Sequence, residues 1–199
     1  YMQPNEDVLS YVNKRAIKDY EVVYTDPGFK YEESYTFDVS TLTPQLACPS
    51  SVDNVFPLED VIKEKEIELN QGYIGSCTGG RVEDIAIAAK ILKGKHIPRW
   101  TRLIVVPASA EVMQECIKHG YIQELMDAGA TITTPGCGAC LGAHEGIISE
   151  GEVCISSTNR NFPGRMGSTE ASIYLASPAT VAASILNGKI IDPRKYIER

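Results

Sequence analysis

From position 67 onward the sequence repeats one pattern: a short apolar run, a turn rich in glycine or serine, then apolar residues at helical spacing. Residues 67–74 form the first run, which ends at Gly75-Ser76-Cys77. Val82, Ile85, Ala86, Ala89 and Leu92 then recur every three or four positions, and Gly94 stands where such a helix stops. Residues 103–107 read as a buried parallel strand, and Ser109 reads as the cap of a helix carrying Val112, Met113 and Cys116. A helix over 122–128, strands over 130–133 and 153–156, and helices over 170–176 and 179–186 complete the series. Strands alternating with helices predict an α/β fold, a mostly parallel sheet flanked by helices. Ligands of such sheets collect outside the carboxyl ends of the strands. The turns at Cys77, Cys137 and Asn159 each follow an expected strand, so they are placed to share one site.

Residues 1–66 read differently. They hold 13 acids against 6 bases and carry the whole net charge of −7, whereas the remaining residues balance at 13 and 13. A helix is expected over 5–16, with Val8, Leu9, Val12 and Ala16 on one face, and a short strand over 33–41. Pro44, Pro49 and Pro57 punctuate a loop around Cys48. The expected organisation is an acidic N-terminal segment, 1–66, followed by an α/β domain, 67–199. The opening at Tyr1, with no initiator methionine and no helix start, reads as an internal fragment, with 1–66 continuing an upstream half. No basic field is available to neutralise phosphates, so nucleic acid is not an expected partner. No apolar run approaches the roughly 20 residues that cross a bilayer, and the start lacks a secretion pattern. No membrane association is expected, and the default location is cytoplasmic.

The six cysteines are Cys48, Cys77, Cys116, Cys137, Cys140 and Cys154. In a mid-sized chain without a secretion pattern, cysteine pairs more often serve metals or redox chemistry than disulfides. Cys137 and Cys140 stand in Thr-Pro-Gly-Cys-Gly-Ala-Cys-Leu-Gly, and Cys77 stands in Gly-Ser-Cys-Thr-Gly-Gly-Arg. Glycine lets a backbone approach a bulky inorganic group closely. Three explanations of the Cys-x-x-Cys pair remain open on the residues alone: a redox dithiol, a zinc site and an iron–sulfur site. A redox dithiol opens a long helix, for which residues 141–146 are a poor start. Zinc would take His144 as a fourth ligand beside Cys77, Cys137 and Cys140 in a closed structural site, although Cys77 stands without a paired ligand. Cys77 also precedes an expected helix, whose positive N-terminal end suits a thiolate ligand. Cys116 and Cys154 read as core residues, and Cys48 is assigned no role. In Asn159-Arg160-Asn161-Phe162-Pro163-Gly164-Arg165, two guanidinium groups could grip carboxylates bidentately. An isolated pair of arginines in a loop is more often plain surface. Gly136, Gly138 and Gly142 miss the dinucleotide fingerprint spacing. No residue stands out as a general base.

Taken in order, G-S-C-T-x-G-R-x-E-D, P-x-C-G-x-C-L-G and S-x-N-R-N-F-x-G-R-M-G closely resemble the aconitase superfamily. The likeness runs from Gly72 to about Arg194. It is strongest to the second half of the large subunits of 3-isopropylmalate dehydratase, with prokaryotic homoaconitase very similar. Pro49-x-Ser51-x-Asp53-Asn54-Val55 extends it upstream. The resemblance implies a [4Fe-4S] cluster held by Cys77, Cys137 and Cys140. It implies Arg160 and Arg165 on substrate carboxylates, with Asn159 beside the cluster. The implied reaction is a dehydration and rehydration of a small hydroxy di- or tricarboxylate, the isopropylmalate isomerisation of leucine biosynthesis. The implied partner is a small subunit carrying a serine base. The chain is then expected to hold the cluster ligands yet to be inactive alone. One departure is Gly79, where the family has asparagine; an amide near the cluster is missing, with an expected effect on cluster stability. An RNA-binding regulator of the same superfamily is disfavoured by the neutral cluster-bearing half and the acidic start.

Overall fold

Residues 2–197 are described by a computed structural model; Tyr1, Glu198 and Arg199, at the outer ends of the expected segments 1–66 and 67–199, lie outside the described residues. Two compact units divide at Thr41 and Leu42. In the first, Asn5 caps helix α1 (Glu6–Asn13), its side chain accepting from the Val8 N–H at 2.9 Å. None of residues 2–41 is buried. The strand expected over 33–41 does not form. A strand needs a neighbour for its N–H and C=O groups, and among the described residues this stretch pairs with none.

The second unit opens with β1 (Gln45–Ala47) and β2 (Val55–Pro57), paired antiparallel across residues 48–54. The proline-punctuated loop is thus the bend of a hairpin. There follow α2 (Leu58–Glu64), β3 (Gln71–Gly75), the short α3 (Ser76–Gly79), α4 (Val82–Leu92), β4 (Arg102–Val106), α5 (Ala110–Lys118), α6 (Tyr121–Asp127) and β5 (Thr131–Ile132). β6 (Val153–Ser156), β7 (Ser172–Leu175), α7 (Pro178–Asn187) and α8 (Arg194–Ile197) complete it. The sheet runs β2-β1-β7-β6-β3-β4-β5. From β7 to β5 every neighbour is parallel, and β1 joins β7 antiparallel. This is the expected α/β fold, with a mostly parallel sheet and helices around it.

One expected helix is a strand. Residues 172–175 extend as β7 beside β6, in register Cys154 to Ile173 and Ile155 to Tyr174. Periodicity cannot separate a short apolar run in a helix from one in a strand. Here Pro178 decides the local geometry. It starts α7 and holds the preceding Ser177 extended (φ −62°, ψ 153°), where the Ser177 hydroxyl caps α7 by accepting from the Thr180 N–H at 3.2 Å. Among the described residues no helix is long and apolar enough to cross a membrane.

Alternate side chains of the parallel strands feed two cores. Ile74, Leu103, Val105 and Ile155 join residues of α4, α6 and α7 in the larger one. Tyr73, Ile104, Val106 and Cys154 face the other way, and Ala139, Cys140, Ile148 and Met166 close over them. Burying one such Leu, Ile or Val fully contributes about 1.5–3 kcal/mol. The segment carrying Cys137 and Cys140 is therefore packed onto one face of the sheet, close to the central strand whose end carries Cys77.

Candidate metal centre

β3 leaves the sheet through a tight corner. Gly75 has φ 147°, and a Cβ there would meet the Val106 carbonyl oxygen at 2.3 Å. Ser76 follows at φ 58°, a left-handed conformation uncommon outside glycine. Strained backbone of this kind collects at functional sites. The corner turns Cys77 outward, where it is exposed, with Sγ 3.7 Å from Thr78 Oγ1. Ser157, just past β6, fastens the corner. Its hydroxyl accepts from the Gly75 N–H and donates to the Gly79 carbonyl, both at 3.1 Å. A Cβ at Gly79 would lie 2.3 Å from the Ser157 carbonyl oxygen. At position 79, then, a larger residue fits only if the backbone of the turn after β6 moves.

After β5 the chain forms a single 3₁₀ turn, Gly138–Leu141, in which the Cys140 N–H donates to the Cys137 carbonyl at 3.0 Å. Cys137 is exposed and Cys140 is 5% exposed. The Tyr73 hydroxyl, from the middle of β3, donates to the same Cys137 carbonyl at 3.1 Å. Burial pushes this phenol well above its ordinary value, so it stays a donor. Two residues earlier on the same strand face, Gln71 donates through Nε2 to the Gly146 carbonyl at 2.7 Å. Arg102 donates through Nε to Gln71 Oε1 at 2.6 Å, and its two terminal nitrogens grip the Glu152 carboxylate at 2.8 and 2.6 Å.

After β6, Asn159 and Arg160 are exposed. Arg165 turns back toward the thiols. Its Nη2 lies 3.9 Å from Cys140 Sγ, and its guanidinium stands 5.6 Å from the centre of the Phe162 ring. Asn161 is buried and donates through Nδ2 to the Cys48 and Ser51 carbonyls at 2.8 and 3.2 Å. It thereby ties the β1–β2 bend to the arginine turn. Among the described residues, the buried side-chain atoms Ser76 Oγ, Asn161 Oδ1 and Arg165 Nε lack a hydrogen-bond partner.

The structure thus brings Arg165 onto Cys140 and places Cys77 on its own corner. Among the described residues no three His, Cys, Asp or Glu side chains gather closely enough to hold a metal ion. His144 is largely exposed and faces Glu145, with Nδ1 3.5 Å from its Oε2. Cys116 and Cys154 are buried, and burial pushes their thiols up to about 11 and about 12. Sequence reasoning missed Tyr73, Gln71, Ser157 and Asn161. A faint signal was present: Gln71 and Tyr73 put polar atoms at alternate positions of a strand that is otherwise wholly buried.

A family model described as the aconitase family (aconitate hydratase) matches residues 1–188. The chain is 50% identical over 194 residues to the 3-isopropylmalate dehydratase large subunit 1 of Methanopyrus kandleri, covering 98% of this chain and 46% of that protein. It is 48% identical over 192 residues to the probable methanogen homoaconitase large subunit of Methanosarcina mazei, covering 96% and 48%. To the homoaconitase large subunit of Thermus thermophilus it is 46% identical over 176 residues, covering 88% and 41%. The chain spans about half the length of these relatives. On the match of its sequence, from the acidic start through all three glycine-rich turns, this chain belongs to the aconitase family.

Proposed function

We propose that this chain is the cluster-bearing part of a hydro-lyase large subunit, with Cys77, Cys137 and Cys140 holding a [4Fe-4S] cluster. The observation that carries the reading is the placement of the three free thiols. They lie on turns at the carboxyl ends of parallel strands, beside the buried and unpartnered Ser76 Oγ and Arg165 Nε. A buried polar atom without a partner calls for one. The donor set fits this group. A single zinc ion draws four ligands to about 2.0–2.3 Å of one point, whereas a cluster takes its thiolates at separate corners. A zinc site would also require the exposed His144, whose Nδ1 faces Glu145.

When bound, such a cluster supplies an iron with an open position, a Lewis acid for the hydroxyl and carboxylate of a substrate. The chain's own residues do the rest. Arg160 and Arg165 bind the carboxylates of a small 2-hydroxy di- or tricarboxylate, because a guanidinium matches a carboxylate bidentately. Phe162 supports the Arg165 guanidinium from the side. By the family likeness, Asn159 offers its amide to the cluster. The proton-abstracting base comes from a small subunit, a partner implied by relatives named as large subunits. The substrate is isopropylmalate, placing the enzyme in cytoplasmic leucine biosynthesis. Relatives named homoaconitase at comparable identity favour a second reading, with homocitrate and homoaconitate as substrates.

The test is a titration. The chain is reconstituted anaerobically with iron and sulfide and reduced by one electron with dithionite, and 2-isopropylmalate or homocitrate is added while the reduced cluster's electron paramagnetic resonance is followed. Roughly tenfold tighter perturbation by isopropylmalate is expected. The reverse preference moves the assignment to homoaconitase, and no perturbation by either contradicts the reading.

A further inference from the structure

β3 does more than carry Cys77 at its end. Its two buried polar side chains, Gln71 and Tyr73, lie on one face and reach opposite legs of the loop that holds the other two thiols. Tyr73 takes the entering leg at the Cys137 carbonyl, 3.1 Å away, and Gln71 takes the leaving leg at the Gly146 carbonyl, 2.7 Å away. Both are 0% exposed. The loop between them contains the 3₁₀ turn Gly138–Leu141 and packs Ala139 and Cys140 against the ring of Tyr73 and its neighbours. Gly138, at φ 47°, sits directly over the phenol: a Cβ there would come 3.5 Å from the Tyr73 hydroxyl.

The carbonyl of Cys137 is also the acceptor for the Cys140 N–H, the one bond that closes the turn between the two thiols. A phenol donating to that same oxygen therefore holds the turn at its hinge. A side chain rooted in the central strand is stiff, because the backbone under it is paired on both sides, to β4 and to β6. Gln71 takes the same loop farther on, at Gly146, whereas the Tyr73 hydroxyl reaches the Cys137 turn itself.

We propose that Tyr73 is a positioning residue for the Cys137–Cys140 turn, its hydroxyl setting the two thiols against the Cys77 corner so that all three face one bound group. The tether itself stands on the geometry; its purpose rests on the cluster reading. Phenylalanine at 73 keeps the ring that fills the small core and removes only the donor. The full chain is compared as wild type and Tyr73→Phe, first without metal. Timed alkylation by iodoacetamide is read at each cysteine by mass spectrometry.

Cys140 is nearly enclosed, so its reaction rate reports opening of the turn. Losing one hydrogen bond predicts roughly fivefold faster alkylation of Cys140 in Tyr73→Phe. Cys116, buried in the other core, is expected to react at the wild-type rate. An unchanged Cys140 rate overturns the proposal. A rise shared equally by Cys116 also overturns it, since that is general loosening. In the reconstituted proteins, chelator-driven loss of the visible cluster absorbance is expected to be several-fold faster in Tyr73→Phe. Equal loss rates overturn the positioning role toward the cluster. Wild type that takes up no iron and sulfide contradicts the cluster reading instead, and the metal-free alkylation still decides the tether.

Discussion

Gly79 is where one atom decides the most. Its Cα packs against the turn after β6, with the Ser157 hydroxyl bonded to its carbonyl and the Ser157 backbone in the space a side chain would need. Gly79→Ala pushes a methyl group to 2.3 Å from a backbone oxygen, and backbone gives way less readily than a side chain tip. The cost expected is about 1–3 kcal/mol in thermal or denaturant unfolding. The displaced corner also carries Cys77, so reconstituted protein should lose its cluster faster than wild type. A variant as stable and as cluster-retentive as wild type would remove the steric account of this glycine. Read from sequence alone, position 79 was a missing amide. The reason for glycine lies in Ser157, far along the chain, and no local pattern reveals it.

At the scale of elements, the loop bearing Cys137 and Cys140 is tied to the base of the sheet through Gln71, Arg102 and Glu152. The Arg102 guanidinium holds the Glu152 carboxyl below the usual carboxylate range, helped by the Ser149 N–H at 2.8 Å. A lowered value in the folded chain means that stabilisation is full above the unfolded value, near 4.3, and fades as pH falls through the folded one. Glu152→Gln is expected to cost about 1 kcal/mol at neutral pH, modest because both partners are partly solvated. It should also flatten the loss of stability on acidification below about pH 5. Urea midpoints of both proteins across that range check this; a wild-type curve with the same acid slope as the variant contradicts it. Most elements were legible because their signals are local: Ser109 accepting from Val112, Gly94 ending α4, the apolar run of β4. β7 was not, because its strand state comes from a slot between β6 and β1.

For the whole molecule, the sharpest contrast is between the two units. Residues 2–41 bury nothing, and Tyr11, Phe29, Tyr31, Tyr35 and Phe37 are all exposed. All the buried residues described lie from Leu46 onward. Charge changes near residue 66, and the compact units divide between Thr41 and Leu42, with the β1–β2 hairpin joining the sheet of the second. The thiols were singled out in the sequence by glycine spacing and the arginine turn by its family pattern. Their supports, Tyr73, Gln71 and Asn161, were not, since each acts on a carbonyl remote in sequence. The proposed centre draws on Cys77, Cys137 and Cys140, which stand on turns that follow the parallel strands β3 and β5. The most direct measurement is iron and acid-labile sulfide per chain after anaerobic reconstitution, with Cys77→Ala alongside. About four of each in wild type, with marked loss in the variant, is the predicted result. About one zinc per chain with no sulfide would contradict the account.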